Sequence, residues 1–98
     1  MYVHLHACRL MAPQAVRSRF YINPLGEVDV ELENAARPLH GRFGQLRFEP
    51  EGPEGYRLTC QERAKPRWQL HLKPQDARSL QRLIAEAEDE LDALMRDL

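Results

Sequence analysis

The sequence predicts an α+β fold: about six antiparallel strands, as a curved sheet or a partly closed barrel, packed by one long C-terminal helix. Three observations carry this expectation. From residue 74 to residue 98 the apolar positions include Ala77, Leu80, Ile84, Ala87, Leu91, Leu94 and Leu98. Their steps of three and four lay one stripe along a single helix face. Before residue 74, apolar and polar residues alternate in short runs, the period of half-buried strands. Short turn-forming segments separate these runs, as hairpins require.

Residues 2–10 form the first predicted strand. Val3, Leu5 and Ala7 share one face, and His4, His6 and Cys8 share the other, which reads as an exposed polar face. Residues 11–15 are a connection broken by Pro13. Residues 16–33 form a hairpin around Asn23-Pro24-Leu25-Gly26, where Pro suits a type I turn and Gly a left-handed bulge position. A loop of residues 24–26 sets Ile22 opposite Val28, Phe20 opposite Val30 and Ser18 opposite Leu32. The same register sets Arg19 opposite Glu31 and Arg17 opposite Glu33 outside. Both faces agree with it.

Residues 34–41 read as a loop, and residues 42–49 as a strand with Gly44, Leu46 and Phe48 inward. A Pro/Gly/Glu turn at 50–55 follows. Then come a strand over 56–63 (Tyr56, Leu58 and Cys60 inward), a turn at 64–66, and a strand over 67–73 (Trp68, Leu70 and Leu72 inward). Pro74 suits a first helical turn, and Asp76 suits the positive end of the helix dipole. Trp68 is the expected anchor of the helix against the sheet.

Ninety-eight residues make one domain, with strands over 1–73 and helix over 74–98. A chain of this size buries about 65% of the surface its unfolded form exposes. No apolar run reaches the ~20 residues of a transmembrane helix, and no secretory signal is visible. A cytoplasmic location without membrane contact is expected. Cys8 and Cys60 are therefore expected as free, buried thiols. The net charge of −1 is unevenly spread: residues 37–82 carry a surplus of five positive charges and residues 83–98 a surplus of five negative ones. Such a dipole bears on partner choice.

No catalytic set emerges. There is no glycine-rich phosphate loop, and neither Ser18 nor Ser79 lies in a nucleophile-elbow context. His4, His6 and Cys8 have no second segment fixed beside them, so neither metal nor cofactor is expected. Two surfaces remain as candidates. Facing inward residues across the last three strands lines up Arg47, Arg57 and Lys73 in one outer row. Gln45, Thr59 and His71 form the next row, and Phe43, Gln61 and Gln69 the one after. Arg63 and Arg67 face each other at the far end. A basic face with one exposed aromatic suits phosphates or a stacked base.

The second candidate is the helix end. Twenty-four residues of helix span about 36 Å, against about 20 Å for a six-residue strand. The helix therefore overhangs the sheet and leaves Leu91, Leu94, Met95 and Leu98 for a partner, a second copy or another protein.

In architecture the predicted strands and terminal helix resemble a PilZ or pleckstrin-homology-like domain. Arg63-Ala64-Lys65-Pro66-Arg67 has the PilZ arginine spacing, but it lies late in the chain. The acidic-or-Asn, x, Ser, x, x, Gly element does not follow, so no ligand is carried over. The leading expectation is a small non-enzymatic interaction protein acting through its acidic amphipathic helix, as a homodimer or with another protein. A nucleic-acid or phosphate-ligand binder using the sheet is the alternative. An inhibitor-type phage or immunity protein is the third.

Overall fold

Opposing strand pairs set the architecture. The computed structural model describes residues 3–96. Seven strands precede one helix: β1 (His4–Arg9), β2 (Arg17–Asn23), β3 (Glu27–Leu32), β4 (Leu39–Arg42), β5 (Leu46–Pro50), β6 (Tyr56–Glu62), β7 (Lys65–Leu72) and α1 (Pro74–Arg96). They form two antiparallel sheets, ordered β1-β2-β3-β4 and β5-β6-β7, which do not close into one barrel. Helix α1 runs across both and buries Ala77, Leu80, Ile84 and Ala87.

The β2–β3 hairpin has the register expected from its two faces, from Ser18 opposite Leu32 to Asn23 opposite Glu27. Asn23 builds the turn: its Oδ1 accepts from Leu25 N at 2.9 Å and its carbonyl accepts from Gly26 N at 2.9 Å. Gly26 takes φ +105°, which a side chain would resist. Phe20, Ile22, Val28 and Val30 point inward and are fully buried, each contributing about 1.5–3 kcal/mol.

The expected loop over 34–41 ends in a strand, β4, and the expected strand over 42–49 begins only at Leu46, as β5. Phe43–Gln45 forms a 3-10 turn, with Gln45 Oε1 accepting from Arg42 N and Gly26 O accepting from Phe43 N, both at 2.9 Å. This break lets one stretch of chain end the first sheet as β4 and begin the second as β5. Of the expected inward residues of the second sheet, Leu46, Leu58, Cys60, Leu70 and Leu72 are buried. Gly44 is exposed in the 3-10 turn, and Thr59, expected on the outer face, is buried. The strand partners also differ. Leu46 faces Cys60, Phe48 faces Leu58, and Leu58 faces Leu70, so each hairpin is shifted by two residues. The β6–β7 turn is Arg63-Ala64, earlier than the expected 64–66, with φ of 52° and 66°. Pro66 is tolerated because β7 is an edge strand and the pairing shifts between Cys60 and Gln61.

Trp68, the expected anchor of the helix, joins the two sheets. Its Nε1 donates to the His40 carbonyl on β4 at 3.0 Å. On the opposite side, Met11 N donates to His71 O at 2.8 Å and Gln14 Nε2 to Gln69 O at 3.0 Å.

Candidate functional site

The inner face of β1 is the main departure from the sequence reading. Residues directly opposite in an antiparallel pair point to the same side. His4 lies opposite Ile22, His6 opposite Phe20 and Cys8 opposite Ser18, all inward on β2. The histidine face is therefore turned toward α1 and half-buried, and Val3 and Leu5 are the exposed residues. The expectation of an exposed polar face is corrected. The signal that would have found it is Leu10, fully buried and of the same parity as the histidines.

Each inward histidine meets a carboxylate from the helix. His6 Nε2 lies 3.0 Å from Asp76 Oδ1, and His4 Nε2 lies 3.0 Å from Glu90 Oε1. Asp76 occupies the first turn of α1, where the helix dipole favours its charge. Beside them, Cys8 Sγ lies 3.5 Å from Ser18 Oγ, whose hydroxyl donates to Cys8 O at 2.9 Å. Burial pushes the Cys8 thiol up; the charge of Asp76 adds to this, and the Ser18 contact and Lys73 oppose it. The donor atoms of His6, Cys8 and Asp76 all lie within 4.8 Å of one another. Cys8, Ser18 and Leu32 also line an open groove of about 650 Å³. Asp76 and Ser18 were not singled out as members of this group from the sequence.

The basic row on the second sheet does not form. In the actual register Arg47 lies opposite Thr59, itself opposite Gln69, whereas Arg57 sits between Glu49 and His71. Arg57 Nη2 is 3.4 Å from Glu49 Oε2, and His71 Nδ1 is 2.7 Å from Glu51 Oε2. Arg47 Nη1 donates to the carbonyls of Gly44 and Leu46 at 3.1 and 3.0 Å. Lys73 has left the sheet and stands at the helix entry, where its carbonyl accepts from Ala77 N at 3.0 Å. Arg63 is in the turn, so it does not face Arg67, which lies 3.6 Å from Glu62. Phe43 sits in the 3-10 turn, half-buried against the core, not exposed for stacking.

The helix end behaves as its length implies. Ala87 is the last fully buried position of α1; Leu91 is half-buried, Leu94 is 47% exposed and Met95 62% exposed. Leu98 lies outside the described residues. The structure is elongated, 45 Å by 30 Å by 28 Å. Cys8 and Cys60 are both free thiols, the latter fully buried. Among the described residues no helix is long and apolar enough to cross a membrane.

No protein-family model matches this chain, and no curated protein and no solved structure is significantly similar to it.

Proposed function

We propose that this is a small, non-enzymatic interaction protein that engages a protein partner through the end of α1. One observation carries the reading. The apolar seam Leu80, Ile84, Ala87 is covered by the protein's own sheets, and the same seam continues through Leu91 and Leu94, where cover fails. Steps of four and three over these positions are the a/d spacing that seats a second helix. The seam is flanked by Glu86, Glu88, Asp89 and Asp92, with Glu90 turned to His4, against Arg96 alone among the described residues of this end. The occupant with complementary charge is a basic amphipathic helix.

A second copy of the chain is the other reading, favoured by one relation. In an antiparallel pairing Leu91 of one seam falls opposite Leu94 of the other, which is self-complementary in shape. It sets two acidic ends side by side, which the basic partner avoids. A phosphate or nucleic-acid function on β5–β7 loses its geometric support, because acids stand among the arginines there.

The test is fluorescence anisotropy with a labelled helical peptide bearing leucines at a and d and lysines around them, alongside an acidic peptide of the same seam. Saturable binding of the basic peptide is expected, weakened by salt and lost in the double variant Leu91→Ser, Leu94→Ser, with circular dichroism unchanged. Light scattering runs in parallel. A dimer that dissociates in the same variant transfers the seam to the second copy. A monomer that binds neither peptide overturns the proposal.

A further inference from the structure

Three donor groups of different chemistry meet where β1 crosses the first turn of α1. His6 and Cys8 are two residues apart on one strand, so both project to the same side. Asp76 arrives from a second, distant segment, at 3.0 Å from His6. All three donor atoms lie within 4.8 Å of one another. Tetrahedral zinc holds its ligands at about 2.0–2.3 Å, which separates the donor atoms by roughly 3.3–3.7 Å. The separations in the cluster therefore exceed the ligating distance by at most about 1–1.5 Å.

We propose that His6, Cys8 and Asp76 bind a divalent transition-metal ion, zinc by preference, with a fourth position open to water or to an exogenous ligand. The donor set selects the ion. A thiolate with an imidazole suits zinc or cobalt, whereas magnesium and calcium take oxygen ligands. Ligands from two segments meet the requirement that one strand alone does not. The site has support: Ser18, 3% exposed, stands 3.5 Å from the Cys8 sulfur, and its hydroxyl is fixed on the Cys8 carbonyl. It also has access, since Cys8 and Ser18 line the groove beside it.

Charge balances at the site. Neutral imidazole, carboxylate and thiolate together offset the two charges of the ion, with Lys73 the opposing cation in the field of Cys8. On binding, the Cys8 S–H bond breaks, its proton goes to solvent and a metal–sulfur bond forms. Asp76 then exchanges its contact with the His6 ring for one with the ion. The ion would also join β1, an edge strand, to the helix. This site is independent of the helix end and of any partner there.

The experiment is a cobalt(II) titration of the reduced full chain, read by the thiolate-to-cobalt charge-transfer absorption, followed by displacement with zinc. One equivalent is expected to produce the band in the parent protein and in Cys60→Ala. Cys8→Ser is expected to abolish it. His6→Gln and Asp76→Asn, each checked for native circular dichroism, are expected to weaken cobalt binding by at least ~10-fold. Asp76→Asn keeps its shape and so remains informative if Cys8→Ser fails to fold. At equal zinc the thermal midpoint should rise more in the parent than in Asp76→Asn. The proposal is overturned if the parent shows no charge-transfer band, or if the band depends on Cys60 instead of Cys8. It is also overturned if His6→Gln and Asp76→Asn both bind cobalt as the parent does.

Discussion

The indole of Trp68 on β7 lies against Gly41 on β4, so closely that a methyl group on Gly41 would stand 3.4 Å from Cζ2 of the ring. The same methyl would come within 2.9 Å of the Cys60 sulfur. With the Trp68–His40 hydrogen bond, this contact is one of the places where two sheets that share no ladder are held face to face.

Gly41→Ala should therefore cost about 1–3 kcal/mol, the usual penalty for overfilling a packed site. Gly44, three residues on, has nothing within 4 Å of the same added atom. Gly44→Ala should leave the urea midpoint unchanged or raise it slightly. Equal losses in both variants would show that the Gly41 contact does not govern the join.

The β6–β7 turn holds two residues, Arg63 and Ala64, in the left-handed region. A left-handed residue with a side chain costs roughly 1–2 kcal/mol, and such two-residue turns favour Asn-Gly. The double variant Arg63→Asn, Ala64→Gly should raise stability by about 1–2 kcal/mol. Chemical denaturation checks it, and an unchanged midpoint would mean the turn is not under this strain.

Ile84 and Leu94 occupy the same helical seam and should respond unequally. Ile84 is 9% exposed beneath the sheets, and truncation to Ala should cost about 2–5 kcal/mol. Leu94 is 47% exposed, and Leu94→Ala should stay within about 0.5 kcal/mol. A large loss at Leu94 in the monomer would contradict the overhang.

Cys60 is fully buried, and burial pushes its thiol up, with Glu62 adding to this and Arg67 opposing. The folded state keeps the proton that the unfolded chain releases. The contribution to stability is whole below the ordinary thiol range and falls as pH rises through it toward the raised value. Between about pH 7 and about pH 10 the parent should lose more stability than Cys60→Ala. Parallel curves would remove Cys60 from the pH response. A thiol reagent should also reach half-buried Cys8 before Cys60.

What the sequence made legible follows from how many constraints each element obeys. The β2–β3 register was legible because the inner residues Phe20 and Val30 and the outer residues Arg19 and Glu31 demand one pairing. The seam of α1 was legible from its spacing, and the inward set of β5–β7 from alternation except at Thr59, which is buried beside Leu58 and Cys60. The register of these strands was not, because a shift of two residues preserves alternation and changes only the neighbours. The Arg63-Ala64 turn carries none of the Gly or Asn that marks a left-handed position. At β1 the side chains that look buried, Leu5 and the preceding Val3, are exposed, because β2 decides which way the strand turns. The histidine–carboxylate contacts follow from that choice, so they were hidden with it.

The inner face of β1 meets partners 70 and 86 positions further along the chain. A ribosome adding roughly 5–20 residues per second supplies Asp76 several seconds after His6 has been made. For the part of that interval the strand spends outside the ribosome, its future interior is uncovered. Valines at positions 4 and 6 would make it a template for aggregation, whereas imidazoles remain hydrated until the last helix docks. The polar interior that obscures this strand to a reader is thus suited to the order in which the protein is born.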